Sequence, residues 1–145
     1  MNKVVVERRI RATREEIFDE WLDPEGMREW MCPGDVVSAE VRLEPRVGGT
    51  LHIAMRSPTQ THLHTGEFRV VDRPSKLAFT WTADAMDGRI TLVTIELVAA
   101  SDHETDLTLT HELIPRKEVS DRYQSGWTKI VDHLEKYLEG EKRVG

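Results

Sequence analysis

The sequence predicts a single α+β domain in which an antiparallel sheet is covered on one face by a long helix. Strand patterns fill the middle of the chain, turn residues separate these patterns, and one long amphipathic segment follows them. The 145 residues suit one domain, with an ordinary 39% of hydrophobic and 32% of charged residues. We expect residues 1–140 to form this domain and residues 141–145 to form a flexible tail.

The N-terminal part of the chain predicts one strand and two short helices. Val4–Val6 is a run of β-branched residues, which favours a first strand. Thr13–Glu16 has the spacing of a capping box, so a helix is expected to start there. Asp23-Pro24 offers an N-cap followed by a proline at the first helical position, which predicts a second helix that ends before Pro33.

The middle of the chain predicts six further strands. These predicted strands are 36–43, 49–56, 63–71, 76–82, 89–98 and 106–113. Their connections are short and rich in glycine, proline and aspartate. Parallel neighbours would need crossover connections of a dozen or more residues, so the seven strands are expected to form an antiparallel meander.

Alternation along the later strands separates an apolar face from a polar face. The apolar positions are Leu77, Phe79, Trp81, Val93, Ile95, Leu97, Leu107, Leu109 and His111, and the opposite positions are Thr80, Thr94, Glu96, Thr108 and Thr110. Successive side chains of a strand point to opposite faces, so this pattern predicts a sheet that is covered on one side and solvent-tolerant on the other.

The covering element is the last long segment, where apolar residues recur at helical spacing from Tyr123 to Leu138. Ser120 or a residue just before it is the expected N-cap of this helix, and Gly140 is its expected stop. Gly126 lies inside the helix, where a glycine costs about 1 kcal/mol relative to alanine. We therefore expect Gly126 to serve close packing or to leave space for a cavity.

Bulk properties exclude several functional classes. The net charge of -6 disfavours a nucleic-acid partner, because phosphate binding needs a basic face. No apolar run approaches the roughly 20 residues that a spanning helix needs, so membrane insertion is not expected. The charged Met1–Arg9 segment shows no export signal and Cys32 has no internal disulfide partner, which together favour the cytoplasm. A homodimer is left open.

The histidines are the first candidates for chemistry. His62 and His64 share one side of a strand and His52 lies on the preceding strand, but no further ligand completes a metal set, so no metal is predicted. His111 stands among apolar positions, where it is either a polar group of a pocket or a core histidine satisfied by hydrogen bonds. Cys32 is expected to be an inert thiol. No catalytic or cofactor motif is visible.

The order of several motifs resembles a known family. The motifs are Phe18–Glu25, Arg28–Trp30, Val47–Gly49, Gly66–Phe68, Pro74–Trp81, Thr105–His111 and Gly126-Trp127. Together they resemble bacterial proteins similar to the C-terminal domain of the Hsp90 ATPase activator, in the START-like (SRPBCC) superfamily. The resemblance implies a helix-grip fold, in which a curved seven-stranded sheet wraps the long C-terminal helix and two short helices close one end of a deep cavity.

Two features depart from that family. The run Trp30–Pro33 lacks the aromatic residue or glycine that often follows this tryptophan, and the chain starts directly with the first strand rather than with the activator's separate N-terminal domain. An Hsp90 homologue is therefore not expected as a partner.

The resemblance implies that a small hydrophobic molecule binds between the sheet and the C-terminal helix. The expected contacts are Trp30 near the entrance, Met55, Phe68, Phe79, Trp81, Val93, Ile95, Leu107, Leu109, His111, Tyr123, Trp127 and Ile130. Two alternatives stay open. One is a cyclase, dehydratase or hydrolase that uses His111 as acid or base, and the other is a stress-response or Hsp90-related interaction protein.

Overall fold

The α+β architecture is confirmed by a computed structural model, which describes residues 2–144, with side chains described as far as residue 140. In chain order the described elements are β1 (Asn2–Ile10), α1 (Arg14–Glu20), α2 (Pro24–Trp30), β2 (Ser38–Leu43), β3 (Thr50–Arg56), β4 (Thr61–Asp72), β5 (Lys76–Trp81), a 3-10 turn (Asp84–Met86), β6 (Thr91–Ser101), β7 (Glu104–Ile114) and α3 (Lys117–Val144). No helix of this part of the chain is both long and apolar enough to cross a membrane.

The seven strands form one antiparallel sheet in the order β1-β7-β6-β5-β4-β3-β2. The sheet curves at β4, because this strand pairs with β3 through its first half and with β5 only through its second half. The pairing of β4 with β5 shifts by one residue between Phe68 and Val70, and such a bulge bends a strand. The predicted helix-grip arrangement, a curved sheet around a long helix, is thereby confirmed.

Helix α3 packs its apolar side into the concave face of the sheet. Its buried residues include Trp127, Ile130, Val131, Leu134 and Leu138. Polar contacts to the edge strand β1 hold the helix in register, although such exposed pairs add little stability. Arg8 of β1 lies 2.6 Å from Asp132 and 3.1 Å from Glu135, and Gln124 donates to the Val5 carbonyl oxygen at 3.1 Å.

The two short helices begin at the predicted caps. The Thr13 side chain accepts from the Glu16 backbone N–H and the Glu16 carboxylate reaches back to Thr13, which completes the capping box. Asp23 accepts from the backbone N–H of Glu25 at 3.2 Å. Both local signals were therefore sufficient to place a helix start.

Trp30 does not lie near the entrance of a cavity, as the sequence suggested, but deep in the core. It is fully buried, packs edge-on against Trp21 at a centroid distance of 4.8 Å, and donates from Nε1 to the buried Glu20 carboxylate at 2.9 Å. This inward orientation follows from the apolar face of α2, which is pressed between β2 and α3.

The predicted ends of α3 are wrong. The helix begins at Lys117, earlier than a cap at Ser120 or just before it would allow. The Ser120 hydroxyl instead donates to the Lys117 carbonyl oxygen at 2.7 Å within the first turn. Gly140 does not stop the helix, which continues to Val144. A glycine in a helix interior costs only about 1 kcal/mol, so the surrounding helix formers carry the backbone past it. Of the expected flexible tail, 141–145, residues 141–144 belong to this helix, whereas Gly145 and the side chains of the whole segment lie outside the described part of the chain.

The outer face of the sheet is less uniformly solvated than its alternation suggested. Thr80 is buried, although Glu96 on the neighbouring strand is exposed as expected. The cause is the close approach of β4, where Gly66 lies against the Thr80 carbonyl group and the Glu67 N–H donates to the Thr80 hydroxyl at 2.9 Å. A long-range pairing irregularity therefore overrides the local pattern.

Candidate functional site: an aromatic cleft beside the C-terminal helix

An open cleft of about 380 Å³ lies between the N-terminal half of α3 and the sheet. Its walls come from residues 33–36 after α2, residues 62–64 of β4, residues 83–85 after β5, and one side of α3 between residues 122 and 130, with Met55 and Trp81 beneath them. The volume falls within the usual range for small-molecule sites, roughly 300–1,000 Å³. The interior is thus not filled by side chains at this end.

A directed chain of hydrogen bonds lies directly behind the cleft. The Trp127 indole N–H donates to His111 Nδ1 at 3.0 Å, and His111 Nε2 lies 2.7 Å from the Thr91 hydroxyl. That hydroxyl donates in turn to the carbonyl oxygen of Trp81 at 2.7 Å. An indole N–H can only donate and a carbonyl can only accept, so His111 carries its proton on Nε2 and gives it to Thr91.

The same contacts show that His111 is a structural histidine. It is fully buried, and burial lowers its pKa to about 3, so the imidazole is neutral at physiological pH. Both ring nitrogens are already engaged, one as acceptor and one as donor. A general acid or base needs a nitrogen within reach of the substrate, so this arrangement favours an orienting role over catalysis.

The Tyr123 hydroxyl stands at the wall of the cleft and accepts from the Trp81 indole N–H at 3.1 Å. The Tyr123 ring packs edge-on against Trp81 at 6.4 Å and against His111 at 5.1 Å. Burial raises the pKa of the phenol, so the hydroxyl keeps its proton at neutral pH. Tyr123 therefore presents an O–H group at an otherwise aromatic wall.

His64 forms the opposite part of this wall. Its Nδ1 lies 3.2 Å from the Ile53 carbonyl oxygen, and its ring packs on Trp81 with centroids 4.8 Å apart. Burial lowers the pKa of His64 to about 4, so the ring is neutral at pH 7. Because a carbonyl only accepts, the proton is on Nδ1 and the lone pair is on Nε2.

Gly126 opens the cleft on the helix side. A Cβ atom built at Gly126 would meet only the Pro33 side chain, at an ordinary 3.9 Å. The glycine is therefore not required for close packing on the sheet, and of the two roles expected for it the structure supports the second, which is to leave space.

Charged side chains of both signs stand around the cleft. Asp35 and Asp84 are balanced by Arg122 and Lys129, so the formal charge of the lining is zero when its histidines are neutral. The net charge of the rim therefore does not by itself favour an anionic or a cationic ligand.

The predicted contact residues divide into two groups. Met55, Trp81, Tyr123, Trp127 and Ile130 line the cleft, with His111 bonded directly behind it. The others lie in the packed core away from the cleft, and they are Trp30, Phe68, Phe79, Val93, Ile95, Leu107 and Leu109. Buried apolar positions of the same sheet face look alike in sequence, whether they line a cavity or pack against the helix.

Sequence reasoning missed two functional positions. Thr91 continues the inward alternation of Val93 and Ile95, so a threonine pointing toward the core could have been recognised as a partner for His111. His64 was considered only as a metal ligand. Its pairing with the buried Ile53 places it on the inward face, which the sequence alone did not specify.

The register also settles the relation among the three histidines. His52 pairs with Thr65, whereas His64 pairs with Ile53 and His62 with Met55, so His52 points away from the other two. Among the described side chains no group of three or more metal-ligating residues gathers. Cys32 is half-buried, and burial raises the pKa of its thiol, which favours the inert role predicted for it.

Comparison with known proteins identifies the family. Residues 11–139 match the family described as Activator of Hsp90 ATPase homolog 1-like protein. The chain belongs to this family. The resemblance drawn from its motifs is therefore confirmed. Among curated proteins no sequence matches this Hsp90 ATPase activator-like chain significantly.

Solved structures share the fold of this activator-like protein over almost its whole length. Protein CV1439 from Chromobacterium violaceum is 22% identical with a TM-score of 0.83, covering 95% of this chain and 97% of its own. Protein NE0264 from Nitrosomonas europaea is 20% identical with a TM-score of 0.82, covering 97% and 96%. PFC0360w from Plasmodium falciparum, described as an HSP90 activator, is 21% identical with a TM-score of 0.78, covering 94% and 96%. At these identities the likeness concerns the fold.

Proposed function

We propose that this protein is a cytoplasmic binding module that holds a small hydrophobic molecule in the cleft beside α3. The observation that carries the proposal is an open space of about 380 Å³ walled by Trp81, Tyr123 and Trp127. The lining combines aromatic and aliphatic side chains with polar groups that can orient a ligand. The lone Cys32 agrees with a reducing compartment.

The hydrogen-bond chain behind the cleft supports a preorganised site. Trp127 is fixed by its donation to His111, and His111 is fixed by Thr91. A wall held in one rotamer loses little side-chain entropy when a ligand binds, which favours affinity. The same chain occupies both nitrogens of His111, so we propose binding rather than turnover.

Filling the cleft from the helix side tests the proposal. Gly126→Leu adds a side chain at the open position facing Pro33, and Gly140→Leu makes the same change in the same helix where nothing lies within 4 Å of the added Cβ. Native mass spectrometry of protein purified from its host, together with a thermal-shift screen of lipids and aromatic metabolites, should find a ligand for the native chain and for G140L.

The expected result is loss of binding in G126L alone. If the native chain carries no bound species and no compound of the screen stabilises it, the proposal is wrong. Binding that survives unchanged in G126L would mean that the ligand sits elsewhere on the protein.

Partner proteins are a separate question. The family's description and one solved relative name Hsp90, but a likeness of 21% identity does not carry that activity to this chain. A pull-down with the host's Hsp90 homologue and a measurement of its ATPase rate address this alternative. Light scattering coupled to size-exclusion chromatography separates a monomer from the homodimer that the sequence left open.

A further inference from the structure

Two polar groups of the cleft have hydrogen-bonding capacity that no other described residue uses. They are the proton of the Tyr123 hydroxyl and the lone pair on His64 Nε2, and both belong to rings that pack on Trp81. One is a donor and the other an acceptor. Their chemistry specifies what a ligand of this cleft should present.

The Tyr123 hydroxyl is an available donor. The hydroxyl oxygen accepts the hydrogen bond from Trp81, and the hydroxyl proton can still be donated to another group. No hydrogen bond from this hydroxyl to an acceptor is found among the described side chains and backbone. The phenol keeps that proton at neutral pH because burial raises its pKa.

The His64 ring is an available acceptor. The donation of its Nδ1 proton to Ile53 fixes the tautomer, so Nε2 holds a lone pair. Within the described residues no group donates to this nitrogen, and His64 belongs to the lining of the cleft. Because the ring is neutral at pH 7, the lone pair is present under physiological conditions.

The remaining walls suit an aromatic molecule. Trp81 and Trp127, with ring centroids 5.2 Å apart, are almost fully buried beneath the cleft. The half-buried Tyr123 offers an accessible ring, and Gly126 leaves its part of the helix wall without a side chain. Aromatic faces pack best against other rings in offset or edge-on arrangements.

We infer that the ligand class of this cleft is a small aromatic molecule that carries a hydroxyl group. A hydroxyl can satisfy both positions, because its oxygen accepts from Tyr123 and its hydrogen donates to His64. This inference rests on the proposed function, since it names the chemistry of the molecule that the cleft binds.

Three probes with the same naphthalene ring separate the contact to Tyr123 from the contact to His64. Naphthalene offers no hydrogen bond, 2-methoxynaphthalene can only accept, and 2-naphthol can both accept and donate. Titration calorimetry on the native chain at pH 7 should give the order 2-naphthol, 2-methoxynaphthalene, naphthalene from tightest to weakest. Each net hydrogen bond should contribute a factor of about 2 to 10 in affinity.

Tyr123→Phe removes the donor and keeps the ring. Tyr137→Phe makes the same change nearer the C-terminal end of α3, at a tyrosine outside the lining of the cleft. In Y123F the affinity for 2-methoxynaphthalene should fall to that for naphthalene, while Y137F should keep the native order. Thermal unfolding of both variants checks their folding, and the probe series on the native chain decides the question even if Y123F does not fold.

The outcomes separate this inference from the proposed function. Equal affinity of the native chain for all three probes overturns the hydroxyl preference and leaves a purely apolar binding module standing. No binding of any probe, together with an empty protein from the host, overturns both. A 2-naphthol affinity that is unchanged by both Gly126→Leu and Tyr123→Phe also overturns the inference, because the contact would lie outside the cleft.

Discussion

Acid should destabilise this protein well above the pH at which carboxylates titrate, because two buried histidines must stay neutral in the folded state. The pKa of His64 is lowered to about 4 and that of His111 to about 3, from an ordinary 6.5. In both cases burial is the main cause. Below pH 6.5 these two histidines are therefore protonated in the unfolded chain but remain neutral in the folded chain.

The sign and size of the effect follow from proton linkage. A depressed histidine pKa contributes stability that is fully present above pH 6.5 and declines as the pH falls toward the folded pKa. A pH of 5 lies 1.5 units below the ordinary histidine pKa of 6.5, yet both rings are still neutral in the folded state. Keeping each ring neutral therefore costs about 2 kcal/mol of folding free energy. The free energy of unfolding should thus fall by about 4 kcal/mol between pH 7.5 and pH 5, out of a typical total of roughly 5–15 kcal/mol.

Urea unfolding at a series of pH values measures this loss, and one substitution assigns half of it. His111→Gln keeps an acceptor for Trp127 and a donor for Thr91 but cannot be protonated, so the loss from pH 7.5 to pH 5 should shrink to about 2 kcal/mol. His103→Gln changes an exposed histidine at the β6–β7 turn and should leave the full loss.

A stability that is flat between pH 7.5 and pH 5 would refute the reasoning, as would an equal loss in H111Q and the native chain. An NMR titration of the imidazole of His111 gives a second, independent measurement. Its signals should not move above pH 5.

Three further predictions concern the backbone, and urea unfolding at pH 7.5 measures each. Thr13→Ala removes the capping box with Glu16 and should cost about 1 kcal/mol, and an unchanged midpoint would show that tertiary packing alone holds α1. Gly66→Ala would place its Cβ in overlap with the Thr80 carbonyl group, so we expect a loss of at least about 2 kcal/mol or failure to fold, and a neutral outcome would contradict the tight crossing of β4 and β5. Leu113 has a left-handed φ of 69° and is partly exposed. Asparagine tolerates this conformation better than leucine, so Leu113→Asn should stabilise the chain by up to about 1 kcal/mol. A loss of stability would indicate that the packing of the leucine side chain contributes more than the backbone conformation costs.

Local signals in the sequence were enough for the elements and for most of their faces. Thr13 and Asp23 place the helix starts because capping involves only neighbouring residues. Leu107 and Leu109 face inward because alternation is fixed by the pleat of the strand itself. The ends of α3 were less well determined, since Ser120 and Gly140 are weak signals inside a helix that tertiary packing extends in both directions.

The sequence by itself thus determined an antiparallel sheet covered by a long amphipathic helix, because side-chain periodicity follows from backbone geometry within each element. Only the tertiary structure decided which part of the apolar face stays open and which polar groups meet there. His64 reaches the cleft through the register between β3 and β4, and the tautomer of His111 is fixed by Trp127 and Thr91, which come from other elements. Contacts between residues distant in the chain depend on register, on the bulge in β4 and on the position of α3, and no local pattern encodes these.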